Sequence, residues 1–399
     1  MDNIPEIILG LGLILIFSKI FGEIFHKLSL PPLFGEILVG IIIGTLGIAS
    51  INESSELSLG NFITVLAQIG IIFLLFRIGF EEIETKNFSK IVIGVLPIEI
   101  IGIIFPFLGG FIACYFFADN LFTDSFKGAL LVGTALAATS LGVSVRTLMD
   151  LKYISTKPGM AIVTVGVVDG FIGLIFFAII YGIIQYDTIS LEDIKDILLL
   201  FLLFFIFIYI FGRFIVWRIA KIVSEMTVEE SVFAIIIGLL FIFSFLSDKI
   251  GASVLIGAFI LGFALSKVPQ FKTSETIQKI KGISYGFFIP FFFVYIGMLF
   301  KFEALTDINI LIFGFLLLTF LILFQIVGAF IGAKISKFDN KDSLIISVGM
   351  LPRNEIMLIV GMIGLELSLY KGDIFSAFIL ISIFTTIITP LILRMIIKR

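Results

Sequence analysis

Thirteen runs of mostly apolar residues set what this chain can fold into: 4–21, 33–51, 62–80, 91–117, 128–145, 158–184, 197–211, 228–246, 252–266, 283–300, 308–333, 343–365 and 374–393. A helix needs roughly 20 such residues to cross the hydrocarbon core of a bilayer, and the shorter runs reach that length with their flanks. None has the alternating pattern of a membrane barrel. The expected fold class is an all-α polytopic membrane protein with about 13 transmembrane helices. Composition agrees: 59% of residues are hydrophobic and 14% charged, against about 45–50% and 25% in soluble domains. A soluble enzyme is excluded. A net charge of −3 with no basic tail or stripe gives no reason to expect a nucleic-acid partner. One cysteine, Cys114, and one histidine, His26, exclude an internal disulfide, a thiolate cluster, a His-rich metal site and a Ser/His/Asp triad. No cofactor is expected. Residues 1–6 carry Asp2 and Glu6 but no Lys or Arg, so the first run is expected to be a permanent helix rather than a cleaved signal.

Basic residues test this division. Loops following the odd-numbered spans hold 19 Lys and Arg, those following the even-numbered spans hold 5, and Lys19, Arg77 and Arg353 lie inside spans. Basic loops stay cytoplasmic, which places the N-terminus outside and the C-terminus in the cytoplasm of a multi-pass cell-membrane protein. Spans 4–6 begin near 91, 128 and 158, and spans 11–13 near 308, 343 and 374, at offsets of 217, 215 and 216. With span 7 as connector, spans 1–6 and 8–13 form two inverted six-helix repeats, an architecture of many secondary transporters.

Charge at mid-bilayer costs at least about 2.5–3.5 kcal/mol and marks interior sites. Asp169 is twelfth of 27 residues in span 6, within VTVGVVDGFIGLIFFAII. Two other spans carry break signals. Span 5 reads GTALAATSLGVSV, with Thr139 and Ser140 among small residues, a pattern that also serves ordinary helix packing. Span 12 reads VGMLPRNEIMLIVGMIG, where Pro352, Arg353 and Glu355 fall within four positions. Such interruptions expose carbonyl oxygens and helix ends that can bind an ion. Arg353 and Glu355 are expected to pair and brace span 12, because a lone buried charge is costly. Glu99 lies deep, between Pro97 and Pro106, as another candidate partner for Arg353. Arg77, near a span end, is expected to snorkel to the cytoplasmic surface.

Seven segments in order carry a family resemblance: LPPLFGEILVGIIIG, QIGIIFLLFRIGFE, TSLGVSVRTL, VVDGFIGL, VLIGAFILGFALSK, IPFFFVYIGMLF and LPRNEIMLIVG. Over nearly its whole length the chain resembles the cation:proton antiporter superfamily, on the branch of sodium/proton and potassium-efflux antiporters. The resemblance implies a homodimer in which a core domain moves against a dimer domain. The expected parts are 1–90 and 228–301 for the dimer or scaffold domain, 91–185 and 302–399 for the core, and 186–227 as a linker helix. Spans 5 and 12 would be discontinuous and cross near the ion-binding aspartate. Three departures stand out. Val168 precedes Asp169 where many members have an acid or asparagine; Gln325 stands where electrogenic relatives carry lysine; Asn354 replaces a usual glycine. A gapless match puts Asp169 at the family's first acidic position and Gly170 at the ion-binding one, whereas a one-residue slip makes Asp169 the ion-binding acid. The matched loss at Val168 and Gln325 favours the slip.

The implied function is secondary active exchange of a monovalent cation, sodium and also lithium, for protons by alternating access, electroneutral with one carboxylate as carrier. Sodium would be held by Asp169, Thr139 and Ser140, an oxygen-only set suited to hard cations. The alternatives are a potassium/proton antiporter of the same fold, or a transport-altered member whose span-6 site no longer binds sodium. A channel would need a continuous polar pore, and a membrane-embedded enzyme a second catalytic group beside Asp169. Because the sequence stops at Arg399, after span 13, no cytosolic nucleotide-binding domain is expected.

Overall fold

The computed structural model describes residues 4–28, 30–48, 58–80, 88–140, 142–185, 231–249, 254–266 and 268–398, with isolated positions between 218 and 230. The expected seventh span, 197–211, lies outside them. Regular structure among the described residues is helical throughout: α1 (Ile4–Lys27), α2 (Leu33–Thr45), α3 (Leu59–Phe80), α4 (Phe88–Phe117), α5 (Ser125–Ala137), α6 (Gly142–Asp150), α7 (Lys157–Gln185), α8 (Ser231–Lys249), α9 (Val254–Ser266), α10 (Ser274–Ile283), α11 (Ile289–Met298), α12 (Ile308–Ile335), α13 (Asn340–Gly349), α14 (Glu355–Glu366) and α15 (Gly372–Lys398). Seven of these segments are long and apolar enough to cross a bilayer, counting α10 and α11 as one through a π-helical turn at Ser284–Phe288. The second expected span stops early, at Thr45. Gly47 takes φ +65°, and the amides of Gly47 and Ile48 bond back to Gly44 and Ile43, the double closure that ends a helix on a left-handed glycine.

The chain divides into two compact units. One comprises Met1–Phe21, Gly35–Ile83 and Tyr181–Met298. Its α3 packs against α9 and α11. Small residues let these backbones meet: a Cβ built on Gly262 would lie 2.1 Å from the Phe76 carbonyl oxygen, and one on Gly79 would lie 2.1 Å from that of Phe259. Close approach of this kind is the main source of helix association in lipid, where burying apolar surface gains little. Arg77 departs from expectation. It is buried, with its guanidinium 4.1 Å from the centroid of the Tyr285 ring. An aromatic face inside the unit holds the cation, so it does not snorkel. Lys19 and Glu36 pair at 2.8 Å.

The other unit comprises Gly22–Phe34, Glu84–Ile180 and Leu299–Arg399. Here α4 lies between α5 and α12, α14 packs on α5, and α15 contacts α6, α12, α13 and α14. Ile98, Ile162, Val165, Val168, Ala329, Ile346 and Met350 form one buried apolar cluster linking α4, α7, α12 and α13. Helix starts outside this cluster are capped by side chains: Asp124 accepts from the Lys127 amide, Asp307 from that of Asn309 and Asp339 from that of Asp342. Both expected breaks are present. Helix stops at Ala137 and resumes at Gly142, and stops at Gly349 and resumes at Glu355.

The glycine contact at α3 and α9 gives a direct check. Gly262→Ala must displace a backbone carbonyl and is expected to destabilise by about 1–3 kcal/mol. Gly238→Ala on α8, with nothing within 4 Å of the added carbon, is expected to be neutral or stabilising by up to about 1 kcal/mol. Thermal unfolding in detergent reads both, and equal effects would contradict the packing described.

Candidate ion-binding site

Two interrupted helices inside an apolar unit leave backbone groups that no bilayer water can satisfy. The chain satisfies them by crossing the two breaks. The Ser140 amide donates to the Pro352 carbonyl at 2.9 Å, joining one non-helical stretch to the other. The Ser144 hydroxyl, on α6, donates to the Gly349 carbonyl at the end of α13, at 2.6 Å. Arg353 donates to three backbone carbonyls around the crossing. Its Nε donates to Leu136 O at 2.6 Å, and Nη1 donates to Met350 O at 2.7 Å and Pro352 O at 3.2 Å. Nη2 donates to the Gln325 side-chain oxygen. Leu136 lies in the last turn of α5, whose open carbonyls carry partial negative charge. Arg353 is thus a fully buried cation neutralised largely by carbonyl dipoles.

This corrects the expected pairing of Arg353 with Glu355. Among the described residues no carboxylate lies within ion-pair distance of the guanidinium, whose planar fork is turned to the carbonyls. Glu355 is only partly buried and accepts from the Ser140 hydroxyl at 2.9 Å. It opens the first turn of α14, where a carboxylate complements the open amides. Glu99 likewise makes no direct ion pair with Arg353, although the two are close enough to interact electrostatically.

Asp169, 1% exposed, is fixed at one oxygen: Oδ2 accepts from the Thr139 amide at 2.9 Å. Oδ1 has no donor, nor does the Thr139 hydroxyl, nor either oxygen of Glu99, which is fully buried and close enough to Asp169 to interact with it electrostatically. Two ionised carboxyls are acceptors only, so this arrangement waits for a cation or a proton. A Cβ on Gly173 would lie 3.2 Å from Oδ1, so glycine keeps that oxygen uncrowded. Ser140 differs from Thr139. Its hydroxyl is already given to Glu355, and its oxygen also accepts from Asn354 Nδ2 at 3.1 Å. Among the described residues no group of three or more His, Cys, Asp or Glu side chains could hold a metal ion. The open oxygens of Asp169, Glu99 and Thr139 are a set of acceptors, the chemistry that suits a small positive charge.

One part of the site escaped the sequence reading. Asn354 Oδ1 accepts from Ser382 Oγ at 2.9 Å and Thr386 Oγ1 at 2.8 Å, and the Arg353 amide donates to Thr385 Oγ1 at 3.2 Å. These hydroxyls, with Thr389, recur at 382, 385, 386 and 389, the spacing of one helical face. That stripe was a readable sign that α15 backs a polar feature.

The fork geometry predicts that Arg353→Lys, although it keeps the charge, lowers thermal stability, since an ammonium cannot reach all four acceptors. Each acceptor left without a donor costs about 1–3 kcal/mol. Glu355→Gln keeps its contact with Ser140 and is expected to cost far less. Equal losses in cation-free detergent would restore the direct pair.

Known proteins carry the same arrangement of sequence. The family profile described as sodium/hydrogen exchanger, transmembrane, matches residues 12–399. The Na(+)/H(+)-K(+) antiporter GerN of Bacillus cereus is 32% identical over 98% of this chain and 96% of its own. The Na(+)/H(+) antiporter of Enterococcus hirae is 28% identical over 98% and 97%. The solved structure of the sodium proton antiporter MjNhaP1 from Methanocaldococcus jannaschii has the same fold, with a TM-score of 0.69 at 21% identity and coverage of 98% and 96%. With a profile match over nearly the whole length and a relative above 30% identity, this chain belongs to the transmembrane sodium/hydrogen exchanger family.

Proposed function

We propose that this multi-pass membrane protein exchanges a monovalent cation, sodium and with it lithium, for protons by alternating access. The observation that carries the reading is Asp169: a buried carboxylate held at one oxygen by the Thr139 amide and left open at the other. Deprotonated, it binds the cation, with the Thr139 hydroxyl as a second ligand and Ser140 beside it. Protonated, it loses the charge that holds the cation, so the two ligands compete for one site. The unit containing Asp169 serves as the moving core, and the other unit as the scaffold of a homodimer. The six-helix halves act as inverted repeats, with the N-terminus outside the cell membrane and the C-terminus in the cytoplasm. Potassium is the second candidate cation, favoured by the similarity to the Na(+)/H(+)-K(+) antiporter GerN of Bacillus cereus.

Exchange is electroneutral in this reading. Arg353 keeps its proton and Asp169 swaps one proton for one monovalent cation, so the site crosses with the same charge both ways. Each additional charge would couple about 2.3 kcal/mol per 100 mV to the membrane potential. The test uses proteoliposomes with sodium, lithium or potassium gradients and imposed potentials of both signs. Wild-type protein is expected to show cation-driven proton flux whose end point ignores voltage, and Asp169→Asn to show none while remaining folded. Flux retained in the Asn variant would overturn the site, and a voltage-dependent end point the stoichiometry.

A further inference from the structure

The mechanism above uses one carboxylate, yet a second lies near enough to interact with it electrostatically and has no hydrogen-bond donor. Glu99 comes from α4, between Pro97 and Pro106, and is fully buried with neither oxygen bonded. A carboxylate in that position is expensive. Burying an ionised group is tolerated only where it is paired or coordinates a cation, and Arg353 lies beyond direct ion-pair distance, its fork committed to carbonyls and Gln325. Among the described residues, the oxygens left open here are those of Glu99, Asp169 Oδ1 and the Thr139 hydroxyl. They come from three separate elements: α4, α7 and the break after α5.

We propose that Glu99 is a direct ligand of the transported cation, completing with Asp169 Oδ1 and Thr139 Oγ1 a site that spans α4, α7 and the break after α5. This rests on the exchange reading above and adds a binding residue to it. Charge balances without further groups. One monovalent cation and Arg353 together offset the two carboxylates, so the loaded site is neutral. Two carboxylates also raise the field at the cation, which favours the smaller ion because its oxygens approach more closely. Sodium and lithium therefore gain more from Glu99 than potassium does. Ser140 takes a supporting part: its hydroxyl, held between Glu355 and Asn354, positions the break rather than supplying the main oxygen.

The test is a cation titration of thermal stability in detergent at alkaline pH, which reads binding without requiring transport. Wild-type protein is expected to be stabilised by sodium. Glu99→Gln, nearly the same shape, is expected to need at least about tenfold more sodium for the same stabilisation, because affinity follows the number of ligand charges. Its preference for sodium over potassium should shrink as well. A merely structural Glu99 would lower the melting temperature in the absence of cation yet leave the sodium dependence as in wild type, and that result overturns the proposal. Should Glu99→Gln not fold, Glu99→Asp decides: it keeps the charge but withdraws it by one methylene, so weakened sodium dependence supports the ligand role and unchanged dependence rejects it. Asp169→Asn separates the two readings. If it keeps the sodium response, the exchange site itself is misplaced; if it loses the response while Glu99→Gln keeps it, only the role of Glu99 fails.

Discussion

Two helices that stop and restart inside a bilayer-embedded unit create the constraint on which the site depends. Every open amide and carbonyl there needs a partner from the protein, since hydrocarbon supplies none. The crossing meets that need with a backbone bond from Ser140 to Pro352, a hydroxyl from Ser144 to Gly349, and the Arg353 fork to Leu136, Met350 and Pro352. Placing Asp169 is a consequence of that solution. Its carboxylate is held by the Thr139 amide, a donor that would be bonded within the helix had α5 continued.

The same accounting explains which charges remain available. Guanidinium offers five donors in a plane, and here the carbonyls and Gln325 take most of them. The buried positive charge is therefore stabilised without consuming a carboxylate. Gln325 contributes an acceptor to that arginine. Asp169 and Glu99 then keep open oxygens, and Glu355 is drawn off to Ser140 at the start of α14. A lysine could not divide the roles in this way, because a point charge does not bridge a last-turn carbonyl of one half-helix and the carbonyls of the other stretch together.

Much of this was legible in the residues. Pro352 with Arg353 and Glu355 marked one break, because a proline removes a helix bond and two adjacent charges need interior partners. The Thr139–Ser140 break was a weaker signal, shared with ordinary packing, and became secure only once its partner segment was seen across from it. Isolation of Asp169 at mid-span marked it as an interior acid, and it is buried with one oxygen on the Thr139 amide. Pairings were harder to read. Sequence proximity suggested Arg353 with Glu355, but spacing along a chain says nothing about direction once the helix is interrupted between them. Arg77 looked like a terminal cation able to reach the surface, and only tertiary packing reveals the Tyr285 ring above it. The role of Asn354 depends on hydroxyls some 30 residues away on α15, a contact no local pattern encodes.

Competition between proton and cation for one buried set of oxygens underlies the proposed exchange, and equilibrium cation binding across pH measures that competition. Sodium binding to the wild-type protein in detergent should weaken by about tenfold for each unit of pH below the titration of the site, with the number of bound ions at saturation unchanged. Log affinity against pH should therefore approach a slope of one on the acid side and flatten on the alkaline side. Sodium affinity independent of pH, or saturation that falls while affinity holds, would mean that proton and cation occupy separate places and would contradict the mechanism.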